Sequence, residues 1–75
     1  MLNLDMEKPL LKITFKELTN VFQNGLMAKA KFIILNEIQH YGEYFFYTCY
    51  FDGQKISSIK KSEIKSIEFI QPNEL

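Results

Sequence analysis

Residues 43 to 51 read EYFFYTCYF, and this run constrains the fold more than any other part of the chain. Six of its nine side chains are aromatic. Aromatic and β-branched residues fit the pleated, half-buried surface of a sheet, so the segment is expected to be a strand that needs cover on both faces. Before it, His40-Tyr41-Gly42-Glu43 carries the glycine a tight turn requires. After it, Asp52-Gly53 is the signal for a type I′ hairpin turn. The aromatic strand is thereby placed between two hairpins.

The segments on either side supply its neighbours. From Leu26 to Gln39, Ala28, Ala30, Phe32 and Ile34 alternate with Lys29 and Lys31, then the pattern becomes apolar at every position around Phe32 to Leu35. This reads as a strand with a central position or a covering element. Lys55 to Lys60 and Ile64 to Ile70 read as two further strands around a polar turn at Lys61 to Glu63, with Pro72 closing the last. A helix over 57–69 fits less well, because Ile67 and Phe69 keep the period of a strand.

Near the N-terminus two readings compete. Leu11, Ile13 and Phe15 alternate with polar neighbours, whereas Thr14-Phe15-Lys16-Glu17 matches a helix capping box. Phe15, Leu18, Val21 and Phe22 then follow at helical spacing up to Gly25. The combined reading is a strand at 10–13 and a helix at 15–24. Residues 1–9 end in Pro9, lack a period and read as a flexible leader; 10–75 reads as a single domain.

The expected fold is thus α+β: a small antiparallel sheet or SH3-like partial barrel of four to five strands with one short N-terminal helix. A loop at Tyr41 and Gly42 would pair Ile38 with Phe45, Ile34 with Cys49 and Phe32 with Phe51 on a core face. The opposite face would pair Glu37 with Phe46, Gln39 with Tyr44, Ile33 with Tyr50 and Lys31 with Asp52. Such a surface is too apolar to be left in water, and the helix, barrel closure or another molecule would cover it. A one-residue slip would exchange the faces.

Composition narrows the functions. A chain of 75 residues holds one core and no large cleft. Nine lysines balance nine acidic residues, so no long-range field draws the chain to phosphate backbones. Arginine, the main base-reading and hot-spot cation, is absent; nine Ile and five Asn beside the lysines fit AT-rich coding. One cysteine excludes an internal disulfide, and one His with one Cys is too few for the usual zinc sets. Asp5 and Glu7 stand where a secretory signal would be basic, and no window has the length of a membrane span, so the reading is cytoplasmic.

Catalytic chemistry finds little to work with. His40 and Cys49 would lie roughly 20 Å apart along extended chain, too far for a nucleophilic pair. Glu37 and Glu43 flank the expected turn, where solvated carboxylates are ordinary. The three glycines are isolated, so no phosphate-cradling loop exists. No enzyme activity, cofactor or metal is expected.

What remains is binding. Tyr44, Phe46 and Tyr50, rimmed by Lys29, Lys31 and Glu37, are the candidate partner-binding residues. The same tyrosines with Lys29 and Lys31 form the aromatic and cationic set that single-stranded RNA or DNA would use; solubility of an exposed strand explains the lysines equally well.

The F-D-G turn and the K-K-S-E-I-K-S-I-E-F run, within 26–70, are similar in rhythm to small SH3-like or Sm-like barrels. In size, missing catalytic groups and lysine-only basicity the chain also resembles the small inhibitors of phages and mobile elements, anti-CRISPR proteins among them. Those features lead to a non-enzymatic module that occupies a surface of a larger protein or nucleoprotein, as an inhibitor of a host defence nuclease would. The alternative is a small barrel binding single-stranded nucleic acid, and a homodimer covering the aromatic face is a third reading.

Overall fold

The computed structural model describes residues 4–23, 26–48 and 56–74. Within them run six strands, β1 (Leu10–Gln23), β2 (Leu26–Leu35), β3 (Gln39–Tyr41), β4 (Tyr44–Thr48), β5 (Ile56–Lys60) and β6 (Ile64–Ile70). They form two antiparallel three-stranded sheets, ordered β2-β1-β6 and β3-β4-β5. Short 3-10 turns occupy Lys61–Glu63 and Pro72–Glu74. Among the described residues no helix is long and apolar enough to cross a membrane.

The helix expected at 15–24 is absent, and its described residues belong to β1. Isolated helices of that length are marginal in water, and here residues 19–23 pair with β2 while Phe15 pairs with β6. Ile13, Phe15 and Val21 are buried at odd positions, as a strand requires, whereas Leu18, which a helix would bury, is exposed. A bulge produces the misleading spacing. Between Thr14, opposite Phe32, and Thr19, opposite Ala30, four residues of β1 face the single residue Lys31 of β2. The Thr19 hydroxyl donates to the Glu17 carbonyl inside this bulge, at 3.0 Å.

The strand expected from 26 to 39 is broken. Regular pairing stops at Leu35, a bend follows at Asn36, and β3 resumes at Gln39 in the other sheet. Asn36 fixes this corner by accepting the Asp5 N–H on Oδ1 (2.6 Å) and donating from Nδ2 to the carbonyls of Asp5 (2.8 Å) and Pro9 (3.4 Å). Ahead of the first strand, the Asp5 carboxylate also accepts the Glu7 N–H and the Asp5 carbonyl accepts the Lys8 N–H, which closes a turn.

The bend also resets the phase. β2 buries Ile33 and Leu35, paired with Ile13 and Leu11, so Phe32 and Ile34 lie on the outer face rather than in the core. Past the bend, the even-numbered Ile38 packs against the core. In the second sheet Ile59 and Tyr47 are buried and Phe45, opposite Ile59, is half-buried. The core therefore joins Ile13, Phe15, Val21, Ile33 and Leu35 of one sheet to Tyr47 and Ile59 of the other.

Pairing at β3 and β4 differs from expectation by two residues. Gln39, His40 and Tyr41 face Phe46, Phe45 and Tyr44, so the loop is Gly42-Glu43. Gly42 takes φ +59 at the first loop position. A Tyr41-Gly42 loop of type I′ would have forced Tyr41 to positive φ, which is unfavourable for a bulky residue. The shift is even, so Phe45 stays on the core side and Tyr44 and Phe46 on the outer side. The partners expected for Tyr44, Phe45 and Phe46 are nonetheless replaced. Gly25, Cys49, Tyr50, Phe51 and the Asp52-Gly53 turn lie outside the described residues.

Two stability outcomes follow from these contacts. The buried Tyr47 hydroxyl accepts the Phe22 N–H and donates to the Phe22 carbonyl, both at 3.2 Å, tying the sheets together. Tyr47→Phe keeps the ring and removes both bonds, so the urea midpoint should fall by the equivalent of about 1–3 kcal/mol at unchanged slope; an unchanged midpoint would show that the hydroxyl contributes nothing. Nothing lies within 4 Å of a Cβ built at Gly42, so Gly42→Ala meets only the backbone penalty. A loss of about 1–2 kcal/mol is expected in thermal melts, with Gly42→Asn closer to the parent.

Candidate functional site

Pairing on both edges of β4 builds an aromatic surface on the outer face of β3-β4-β5. Tyr41 and Tyr44 are direct cross-strand partners, and Phe46 follows two residues along β4 on the same face. The Phe46 ring lies edge-on to Tyr41, with centroids 5.7 Å apart and planes at 67°, and 6.3 Å from Tyr44 at 40°. Offset and edge contacts of this kind are the favoured aromatic geometries. Phe46 is half-buried at the centre, while Tyr41 and Tyr44 are 62% and 43% exposed. Rings that hold one another in this way lose little freedom when a partner covers them.

A polar border surrounds the rings. Across β5, Lys60 stands opposite Tyr44 and Ser58 opposite Phe46. Glu37, Gln39 and Ile56 join Phe46 around a small recess of about 60 Å³. At the turn end, the Glu43 carbonyl accepts the Lys61 N–H at 2.7 Å, which links the loop to the 3-10 turn after β5. His40 is on the opposite face, stacked on Phe45 at 4.6 Å with planes at 20°, and its Nε2–H donates to the Gly42 carbonyl at 2.9 Å. That bond uses the tautomer with hydrogen on Nε2.

The structure thus brings together Tyr44, Phe46 and Glu37 of the residues singled out in the sequence. It sets Lys29 and Lys31 apart from them: both are on β2, with Lys29 opposite Asn20 and Lys31 opposite the β1 bulge. Tyr50 lies outside the described residues. Sequence reasoning missed Tyr41 and Lys60. The signal for Tyr41 was the Gly-Glu dipeptide, since a loop with glycine first leaves the preceding tyrosine in regular strand. Lys60 was visible only as part of a basic stretch, because its place opposite Tyr44 depends on the register across residues 49–55.

Two other concavities are present. One, of about 380 Å³, crosses the outer face of β2-β1-β6 between Phe32, Ile34, Glu68 and Ile70; within it Lys12 Nζ lies 4.7 Å from the centroid of the Phe32 ring. The other, of about 520 Å³, lies between the β1 bulge and the 3-10 turn, lined mainly by Lys16, Glu17, Thr19, Asn20, Ser62 and Glu63. Neither gathers aromatic side chains as the β3–β4 surface does. No family model, curated protein or solved structure matches the chain.

Burial separates the rings that build this surface from those it presents. Tyr41→Ala and Tyr44→Ala should each change stability by less than about 0.5 kcal/mol, as exposed positions do. Phe46→Ala should cost about 1–2 kcal/mol, since half of a phenyl ring is withdrawn from packing. Denaturant titration of the three variants checks the ordering, and equal losses at all three would contradict the geometry.

Proposed function

We propose that the chain is a non-enzymatic binding module that docks Tyr41, Tyr44 and Phe46 against a larger protein. The observation that carries this reading is the cluster itself: two exposed tyrosines held against a half-buried phenylalanine whose strand is paired along both edges. Tyrosine combines large apolar area with a polar tip and few rotatable bonds, which is why it anchors interfaces. The border of Glu37, Gln39, Ser58 and Lys60 offers both charge signs and neutral hydrogen-bonding groups, the composition of an interface rim. Occupying a partner's surface without chemistry is how an inhibitor works, and inhibition of a larger protein or nucleoprotein, such as a defence nuclease, is the role we assign.

An SH3-like partial barrel is the architecture we assign with it. The support is the path from β2 to β3, which leaves one sheet and enters the other through a single bend at Asn36, as corner-turning strands of small barrels do. The 3-10 turn between β5 and β6, followed by pairing of β6 with the first strand, supports the same reading.

Single-stranded nucleic acid is the competing ligand, and Lys60 opposite Tyr44 is the observation in its favour. A comparison of tagged wild type and Tyr41→Ala/Tyr44→Ala, captured from native lysate with and without nuclease, separates the two. Protein docking predicts a nuclease-resistant partner whose recovery falls at least about tenfold in the double variant. Recovery that disappears with nuclease, together with salt-sensitive binding of an oligonucleotide that weakens in Lys60→Ala, would replace protein docking with the nucleic-acid reading. Equal recovery by both chains would remove the aromatic surface from either.

A further inference from the structure

The inner face of β2-β1-β6 does not end where its cover ends. Two cross-strand rows span it, Ile33–Ile13–Ile67 and Leu35–Leu11–Phe69, and directly opposed residues share a face. Exposure rises along both. Ile33, Ile13 and Leu35 are buried and Leu11 is half-buried, but Ile67 is 39% and Phe69 76% exposed. The apolar rows of the core therefore continue onto an edge strand. Among the described residues β6 pairs with β1 alone, so its other edge presents backbone donors and acceptors beside these two side chains.

We infer that β6 pairs antiparallel with β6 of a second copy, about a twofold axis at Ile67. A twofold that joins two edges into one continuous sheet is perpendicular to it and preserves its faces, so it must lie between one residue and that residue's own copy. Three residues of β6 lie near enough to the strand centre. An axis at Ser66 would set Ile64 against Glu68 and Glu63 against Phe69, while an axis at Glu68 would oppose the two Glu68 carboxylates. The axis at Ile67 opposes Ile67 to Ile67, Ser66 to Glu68 and Lys65 to Phe69, twice each for the last two. That register brings no like charges directly opposite, offers Glu68 a hydroxyl donor, and lays an ammonium by the largely exposed Phe69 ring. On its own sheet Glu68 already faces Lys12. The charges that normally protect an edge are thus placed so that this one pairing escapes them.

Sedimentation equilibrium tests the assignment. One seven-residue edge buries less than a standard interface of about 1,200–2,000 Å², so a dissociation constant of roughly 1 μM to 1 mM is expected for the wild type. Phe69→Lys would oppose Lys65 and should weaken the dimer at least about tenfold, whereas Phe69→Glu would oppose the same lysine and should retain it. The exposure of Phe69 lets both fold, which circular dichroism verifies. A mixture of Ile67→Lys with Ile67→Glu should recover a dimer that each alone has lost, because position 67 meets itself only about this axis. A wild type that stays monomeric to about 1 mM would overturn the proposal and leave the edge to a foreign strand. Equal behaviour of the two Phe69 variants would overturn it too. Tyr44→Ala should leave the dimer intact, so failure of the aromatic docking reading is distinguishable; a dimer that dissociates on Tyr44→Ala would overturn the β6 interface.

Discussion

The Tyr47 phenol is the point at which the two sheets become one structure. It is buried in the middle of the aromatic strand and uses its hydroxyl as acceptor and donor to both main-chain groups of Phe22. β6 accompanies β1 only to Phe15, and Phe22 lies well beyond that, where the second sheet approaches. One side chain there serves the main chain as part of a further strand would. A buried hydroxyl without such partners would be destabilising, and the pair of bonds therefore specifies how the sheets meet as well as holding them.

The orientation of the outer surface depends on that anchor. With Tyr47 facing inward, alternation along β4 turns Tyr44 and Phe46 outward, and pairing with β3 and β5 makes Tyr41, Ser58 and Lys60 their neighbours. Core and candidate site are the two faces of one five-residue strand. Its rigidity comes from having partners on both edges, whereas the edge strands β3 and β5 carry the peripheral members of the surface.

Local alternation made the strands β5 and β6, the polar turn between them and the strand character of 44–48 readable from sequence. What failed was phase across irregularities. The β1 bulge spaces Phe15, Leu18, Val21 and Phe22 so that they imitate a helical face, although Leu18 is exposed. The Asn36 bend moves the inward positions from odd at Ile33 and Leu35 to even at Ile38, so one period drawn through 26–39 buried the wrong side of β2. The bend is held by Asp5 and Pro9, and the bulge lies opposite Lys31; neither partner is near in sequence. The grouping of Tyr44, Phe46 and Glu37 in the candidate site was legible because an even register error preserves faces. Its lysines were misassigned because β2 pairs with β1 rather than continuing the hairpin.

The distribution of exposed apolar residues carries the last step. Hydrophobic side chains scattered over a surface, as Leu18, Leu26 and Met27 are here, need no explanation, but two groups hold definite places in the topology. Tyr41 and Tyr44 gather on the outer face of one sheet, and Ile67 and Phe69 lie where the inner rows of the other reach its edge. A small domain has too little interior to enclose every apolar residue its strands require. The surplus emerges here on a sheet face at Tyr41 and Tyr44 and along the β6 edge at Ile67 and Phe69. The proposed docking would use the first, through side chains of preformed rings; the proposed β6 pairing would use the second, through main chain with apolar side chains alongside. Both proposed modes of association thus trace to one shortage of core volume.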